Sequence, residues 1–340
     1  MIIESLVATS LITSLTFGQS TLNHSLSMQA LQEDPYPYEF FQKMQVSGKD
    51  RTTEFKDSFV RLSEDEKFED FKDTHVLLIA GLLSDLSILV KNNPLAKWIG
   101  LKNKFQDQIE FLTKNQITYD LVNIESEAAP KVNGAIICKS IEESKKQIII
   151  FSHSKGSTDT LTCFVSRPDL LPKVRGWISS HGAFWGTPAA EIFLQNRWLK
   201  WPSNHALRWL GGGIESVESL SVYDAIEFNL RNEEMLKNLP NKIPLVSFAS
   251  YKPDVPGKWD TYFEPYFRDW LEEGGLQNDG LVPWKSQIFP GSHYVLIEGM
   301  DHFWGLDENN DLQKSGLGGK LMAGLFIMLR EEIRDFQKAH

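Results

Sequence analysis

Residues 147–157 read Gln-Ile-Ile-Ile-Phe-Ser-His-Ser-Lys-Gly-Ser, an apolar β-branched run that stops at a small-x-Ser-x-Gly pattern. A segment with helical character follows. This order predicts a strand that delivers Ser154 to a sharp turn, with the start of a helix behind it. Small neighbours let the backbone turn tightly, and the helix N-terminus favours negative charge that develops nearby. The pattern is typical of a nucleophilic serine, although Ser152 stands where glycine is usual.

This turn is one step in a longer alternation of apolar strands and helical segments that begins at Thr74. Such an alternation predicts an α/β fold with a mostly parallel, doubly wound sheet of buried strands. The predicted strands cover residues 75–80, 117–124, 147–152, 174–179, 243–250 and 294–297. The predicted helices lie within 38–73, 98–114, 131–144, 157–166 and 317–338.

One stretch, residues 187–241, interrupts the alternation with helical pieces and no clear strand. It contains Trp198, Trp201 and Trp209 and three consecutive glycines at 211–213. An insertion after the carboxyl end of a strand lies over the ligand crevice of such a sheet, which predicts a helical, apolar cap. An ordinary helical insertion whose tryptophans fill its own core explains the same residues.

The N-terminal residues 1–35 have the composition of a leader or loosely attached arm, and residues 36–340 form a single predicted domain. Residues 6–17 have the length of the apolar region of a signal peptide, which favours export. No Lys or Arg precedes them, and Glu4 does, which favours cytoplasmic retention. The sequence leaves these two locations equally open.

Composition excludes some classes of protein and leaves others open. The chain has 340 residues, 41% of them hydrophobic, which is enough for a sizeable core. Its formal net charge of −10, with no basic run, argues against a nucleic-acid partner. Cys138 and Cys163 have no metal-binding spacing and are predicted to be buried helix residues. A disulfide between them is open but not indicated.

A nucleophilic serine on this architecture needs an acid and a base in the chain order Ser, Asp or Glu, His. The segment Asn278-Asp279-Gly280-Leu281-Val282-Pro283 supplies Asp279, and His302 follows the last predicted strand. We predict that Asp279 orients His302, which takes the proton of Ser154 and returns it to the leaving group.

The negative oxygen that develops during such a reaction needs backbone N–H donors. One is expected from Lys155, the residue after the nucleophile. The other is expected from residues 80–84, where Gly81 permits close approach of the backbone, and Leu82 is the predicted donor.

Other residues compete for the roles of acid and base. Asp254 also follows the strand at 243–250, and Asp301 neighbours the base but is expected to point away from it. The remaining histidines fail on position, because they precede Asp279, precede the last strand or end the chain. They are His24, His75, His153, His181, His205, His293 and His340.

Aromatic side chains near the predicted crevice suit an apolar substrate. Phe184 and Trp185 follow a strand and are predicted to line the crevice with Trp198 and Trp201, unless simple loop packing explains the first two. Residues 307–311 partly mimic a calcium loop but lack its glycine and distal glutamate, so they are interpreted as a solvated turn. No metal site is predicted.

These segments together resemble the α/β-hydrolase superfamily, and within it the bacterial lipases and related acyltransferase-like lipases. Residues 278–283 are similar to the acid motif of bacterial lipases, Asp301-His302 to their base loop, and residues 179–187 to the segment after the post-nucleophile strand. The resemblance covers about residues 74–338. Three residues depart from the pattern: Ser152, Ala80 and Lys155.

The resemblance implies an α/β-hydrolase fold and hydrolysis of carboxylic esters, often acylglycerols, through an acyl-enzyme on Ser154 without an organic cofactor. Some such lipases bind a structural Ca²⁺ ion. An acyltransferase or a polyester depolymerase would use the same chemistry, whereas a non-catalytic protein of this fold would bind a lipid or a partner. The three predicted catalytic residues in the correct order favour an enzyme. Its expected partner is a small ester or lipid substrate, with transient contact to a lipid interface.

Overall fold

The computed structural model of the chain describes residues 37–62, 66–81, 105–125, 128–195, 214–253, 264–303 and 317–339, together with the backbone of 16–17 and 20–21. In this part of the chain, six parallel strands form one sheet. The predicted doubly wound α/β architecture is therefore confirmed.

The strands follow the predicted alternation closely. They are β1 (Thr74–Ile79), β2 (Thr118–Leu121), β3 (Gln147–His153), β4 (Val174–Ser180), β5 (Leu245–Tyr251) and β6 (His293–Glu298). Their order across the sheet is β2-β1-β3-β4-β5-β6, and every neighbouring pair is parallel. The chain leaves β1 for β2 on one side and returns to β3 on the other, so the crevice between β1 and β3 is the topological switch point.

Helices connect and cover these strands. The predicted helical region 38–73 contains two helices and a short 3₁₀ turn, and of the predicted helix 98–114, residues 98–104 lie outside the described part. The helices are α1 (Tyr38–Lys43), α2 (Thr52–Arg61), α3 (Gln106–Lys114), α4 (Pro130–Glu143), α5 (Lys155–Ser166), α6 (Pro188–Gln195), α7 (Ile214–Glu218), α8 (Val222–Arg231), α9 (Glu233–Asn238), α10 (Glu264–Glu273) and α11 (Leu317–Ala339). Short 3₁₀ turns span Glu69–Phe71, Pro168–Lys173, Leu239–Asn241 and Trp284–Gln287.

The sheet separates two hydrophobic cores. Ile148 and Ile150 belong to the core shared with α4 and α5, whereas Ile149 and Phe151 belong to the core shared with α3 and α11. The alternation arises because successive side chains of a strand point to opposite faces. Each such side chain contributes about 1.5–3 kcal/mol on burial, so the apolar run before the predicted nucleophile fixes β3 at the centre of the molecule.

A disulfide joins α4 to α5. Cys138 and Cys163 are buried helix residues, as predicted. They form a disulfide that their spacing in the sequence did not indicate, with their Cα atoms 5.4 Å apart. The helices approach closely at Gly134, where a Cβ atom would lie 3.1 Å from the backbone nitrogen of Cys163.

The insertion at 187–241 is helical in its described part, which comprises α6 to α9. Ala190 and Val217 pack with Val282 in a small apolar cluster, and Thr187 Oγ1 donates a hydrogen bond of 2.5 Å to the Leu281 carbonyl. The insertion therefore contacts the segment that carries Asp279. Among the helices described, none is long and apolar enough to cross a membrane.

Candidate active site

The turn after β3 has the strained geometry of a nucleophile elbow. Ser154 adopts φ 54° and ψ −131°, a conformation that is rare for residues other than glycine. The turn is also tightly packed, because a Cβ atom on Gly156 would lie 2.4 Å from the Ala80 carbonyl oxygen. A Cβ atom on Gly81 would lie 2.7 Å from the Cβ of Ser154. Ser154 is thereby held at the carboxyl edge of the sheet, beside the switch point.

Ser152, which replaces the usual glycine of this motif, has its own structural partners. Its hydroxyl accepts a hydrogen bond from Trp177 Nε1 at 2.8 Å and lies 2.8 Å from the Ser157 hydroxyl. Ser157 in turn accepts from Ser179 at 2.9 Å. The departure from glycine therefore gives a buried indole nitrogen an acceptor, which a glycine at this position could not supply.

Three predicted side chains meet at this edge. His302 Nε2 lies 2.8 Å from Ser154 Oγ, and His302 Nδ1 lies 2.7 Å from Asp279 Oδ2. A carboxylate only accepts, so Nδ1 carries the proton and Nε2 presents its lone pair to the serine hydroxyl. This tautomer can accept the proton of Ser154, as the predicted roles require.

The acid loop, residues 278–283, satisfies both oxygens of the Asp279 carboxylate. Oδ1 accepts from the backbone N–H groups of Leu281 at 3.0 Å and Val282 at 2.8 Å. Oδ2 accepts from His302 and also from Gln287 Nε2 at 3.0 Å. Burial by itself raises the pKa of a carboxyl group, but the adjacent His302, the nearby His181 and the Val282 N–H lower the pKa of Asp279 below its ordinary value. Asp279 is thus held ionised beside the imidazole.

The base loop, residues 299–303, is held by backbone contacts. The His302 N–H donates to the Asp279 carbonyl at 2.8 Å, and His153 Nε2 donates to the His302 carbonyl at 2.9 Å. The Ser250 hydroxyl donates to the Met300 carbonyl at 3.0 Å. The loop is therefore attached to the acid loop, to β3 and to β5.

His181 extends this hydrogen-bond network beyond Ser250. Because Ser250 Oγ donates to Met300, it accepts from His181 Nε2 at 2.9 Å. His181 Nδ1 then accepts from the Ser180 hydroxyl at 2.9 Å. Burial lowers the pKa of His181 to about 3, which keeps the ring neutral in this role. The required chain order excludes His153 and His181 as the base. It does not predict that these histidines support the base loop.

Lys155 begins α5, so its N–H has no acceptor within the helix and is free of the helical ladder. Its side chain is buried and pairs with Asp159, with Nζ 2.8 and 2.9 Å from the two carboxylate oxygens. Nζ also donates to the Ala128 carbonyl at 3.1 Å, and Asp159 accepts from Asn133 Nδ2 at 2.8 Å. Burial raises the pKa of Asp159 more than the Lys155 charge lowers it. This pair fixes the loop before α4 to the turn that carries Ser154.

Two of the aromatic residues predicted as crevice walls, Phe184 and Trp185, lie in the hydrophobic core. Phe184 packs edge-to-face on Trp177 and Phe289, and Trp185 contacts Phe40. Each of the two is 2% exposed. These contacts explain Phe184 and Trp185 as loop packing, the alternative to a role in substrate binding.

Several other candidates were named from the sequence. Asp301 points away from His302, because its Oδ2 accepts from Lys252 Nζ at 3.1 Å. In the part of the chain that the structure describes, no group of three or more His, Cys, Asp or Glu residues is arranged to hold a metal ion. The candidates that lie outside the described residues are Leu82, Trp198, Trp201, Trp209, Asp254, the glycines 211–213 and the segment 307–311.

Comparison with known proteins identifies the fold. No protein-family model matches the chain, and no curated protein sequence matches it. Its structure is similar to that of a metagenomic carboxyl esterase, with 21% identity over 77% of this chain and 76% of the other and a TM-score of 0.58. It is also similar to the mature form of a lipase from Bacillus licheniformis, with 19% identity over 79% of this chain and 95% of the other and a TM-score of 0.57. The chain has the α/β-hydrolase fold, as its motifs indicated.

Proposed function

We propose that this chain is a serine hydrolase that cleaves carboxylic esters, of the lipase or esterase type. The observation that carries the proposal is the continuous hydrogen-bond chain from Ser154 Oγ through His302 to Asp279. It ends at the carboxyl edge of the sheet, beside the switch point where ligands bind in such folds. The α/β-hydrolase fold shared with an esterase and a lipase supports the same conclusion.

In the proposed reaction, Ser154 Oγ attacks the ester carbonyl carbon while His302 Nε2 takes the hydroxyl proton. The resulting oxyanion accepts hydrogen bonds from the backbone N–H groups of Lys155 and Leu82. His302 then returns the proton to the alkoxide, which leaves as the alcohol, and Ser154 retains the acyl group. Water activated by His302 hydrolyses this acyl-enzyme and restores the serine.

The substrate proposed is a small ester or a lipid with an apolar acyl group. The insertion at 187–241 contributes to this proposal, because its described helices pack on the acid loop next to the site. A cap in this position lies over the crevice, where it can cover the acyl chain and exclude water.

A fluorophosphonate probe tests the proposal, because it reacts covalently with activated serines. We expect one adduct on the intact chain, mapped to Ser154 by peptide mass spectrometry. Ser154→Ala should abolish the adduct and lower kcat for p-nitrophenyl ester hydrolysis by on the order of 10⁴–10⁶, with the melting curve unchanged. Ser157→Ala is the matched control, because Ser157 is a nearby buried serine outside this hydrogen-bond chain. This variant should still be labelled at Ser154. Labelling at another residue, or an active Ser154→Ala, argues against the assignment.

A further inference from the structure

Gln287 occupies a buried position behind the acid loop that no local sequence motif marks. It ends the 3₁₀ turn Trp284–Gln287, and its side chain amide makes four polar contacts. Oε1 accepts from the Ser250 N–H at 2.8 Å. Nε2 faces three oxygen acceptors: Asp279 Oδ2 at 3.0 Å, Val282 O at 2.9 Å and Ser250 O at 3.0 Å.

These partners determine which way the amide points. If the amide were flipped, Oε1 would face three acceptors and Nε2 would face an N–H donor, so every contact would be repulsive. An ionised glutamate in the same place would also turn an acceptor oxygen toward those acceptors. The site therefore requires a group that accepts on one side and donates on the other, which the uncharged amide of Gln287 provides.

Gln287 joins three parts of the site. Asp279 Oδ2, which accepts from Gln287, is the same oxygen that accepts from His302 Nδ1. Ser250, which Gln287 contacts at both backbone groups, holds the base loop through its hydroxyl and the Met300 carbonyl. Through these contacts, one side chain connects both the acid loop and the base loop to the same end of β5.

We propose that Gln287 is a positioning residue that fixes the orientation of the Asp279 carboxylate and limits the negative charge this carboxylate presents to His302. The proposal rests on the proposed function of the Ser154, His302 and Asp279 chain. A hydrogen-bond donor on Oδ2 fixes the orientation of the carboxylate toward His302 Nδ1. It also offsets part of the carboxylate charge, so that His302 binds a proton less tightly than it would beside an uncompensated carboxylate.

Other titratable groups also face the His302 ring. His153 from β3 and His181 after β4 have ring centroids 4.9 and 5.7 Å away, and Asp279 is in direct contact. Asp301 is adjacent in sequence and is paired with Lys252. Among these groups, Asp279 is the one that Gln287 contacts, so a change in the titration of His302 reports on the contact between Gln287 and Asp279.

The sharpest test is Gln287→Met, which keeps about the same side-chain length but has no donor for Asp279 Oδ2. The variant removes the hydrogen bond that offsets the carboxylate charge and adds no titratable group. We expect the midpoint of the His302 ring titration, followed by NMR on ring-¹⁵N-labelled histidine, to rise by on the order of half a pH unit. The resonance is assigned by its loss in His302→Asn. The acid limb of the pH profile of kcat/KM should move by the same amount.

Gln287→Glu is a second variant. Its carboxyl group, buried against three oxygen acceptors, is expected to stay protonated and to donate to Asp279 Oδ2, so the midpoint should lie closer to the wild-type value than in Gln287→Met. Gln108→Met is the matched control, since Gln108 is equally buried but lies in α3. It should lower the melting temperature and leave the His302 titration in place. An unshifted His302 midpoint in Gln287→Met overturns the proposal, even if the variant is unstable. A wild-type chain that shows no ester hydrolysis counts against the proposed function, whereas the NMR titration tests Gln287 independently.

Discussion

The turn at Ser154 and the acid and base loops hold the proposed catalytic side chains by different physical means. At the turn, the backbone of Ser154 is strained and the neighbouring glycines leave no room for a Cβ atom. In the base loop, by contrast, a Cβ atom on Gly299 would have no neighbour within 4 Å. The two loops are instead positioned by hydrogen bonds, many of them from buried side chains such as Gln287 and Ser250.

This contrast predicts two kinds of sensitivity. The turn should be especially sensitive to added volume, because its geometry depends on close packing of the backbone. The loops should tolerate added volume at exposed points but not the loss of a donor or acceptor, because each buried polar group left without a partner costs about 1–3 kcal/mol.

The largest effect is expected in the acid loop. Asp279→Asn keeps the shape of the side chain but replaces the acceptor of the His302 proton, which favours the wrong tautomer of the imidazole. We expect kcat for a p-nitrophenyl ester to fall by about 10⁴ with little change in melting temperature. Asp301→Asn, in the neighbouring loop, is the control and should retain most of the activity. A mild Asp279→Asn defect would remove this residue from the role of acid.

The next effect is expected at the turn. Gly156→Ala places a Cβ atom against the Ala80 carbonyl, where 2.4 Å separates them before relaxation. We expect a loss of about 3 kcal/mol or more in the free energy of unfolding. Gly299 has a φ of 88°, but the space around it is open. Gly299→Ala should therefore cost only about 1–2 kcal/mol in the free energy of unfolding. Equal losses measured by urea denaturation would contradict the packing account of the turn.

A comparable but smaller loss should follow from breaking the buried pair behind the turn. Lys155→Met leaves the Asp159 carboxylate without its cation, and removal of one partner of a buried pair costs about 3–5 kcal/mol when the remaining charge stays unpaired. Partial protonation of Asp159 brings the expected loss to the lower end of this range. Lys139→Met breaks an exposed pair of the same spacing, with Glu143, and should cost less than about 1 kcal/mol. Chemical denaturation of the two variants compares them directly.

The smallest effect concerns the support of the base loop. His181 has a pKa of about 3 in the folded chain against an ordinary value of 6.5, so it stabilises the fold above pH 6.5. Between pH 6.5 and about pH 3, the unfolded chain binds a proton at this histidine and the folded chain does not. The contribution to stability is therefore lost as the pH falls toward 3. His181→Gln should therefore melt below the wild type at neutral pH, by a margin that narrows on acidification. A margin independent of pH would show that the pKa of His181 is the same in the folded and the unfolded chain, which would contradict the lowered pKa.

Sequence alone predicts the turn well, because its signal is local. The apolar run of β3, Ser154 and Gly156 are contiguous, and the periodicity of the flanking segments predicts the order of strands and helices. Asp279 and His302 are also accessible to prediction, since each follows a strand in the required chain order. Their position in the structure agrees with that expectation, while their catalytic roles stay a proposal.

The supporting contacts could not be predicted in this way. Gln287 and Ser250 are 37 residues apart, and nothing in the sequence around either one indicates that they meet. The same is true of the Lys155 side chain, because its position after the predicted nucleophile gives a role only to its backbone N–H. Such contacts arise from the register of β5 beside β6 and from the path of the loops, which depend on the whole fold.

The central claim is that Ser154, His302 and Asp279 act as one unit, and a double-mutant comparison tests it most directly. We would measure kcat/KM for a p-nitrophenyl ester with Ser154→Ala, His302→Ala and the double variant, with melting curves as a control of folding. Because His302 acts through the Ser154 proton, we predict that the double variant is no slower than Ser154→Ala alone. If the two losses multiply instead, the residues act independently and the account is wrong.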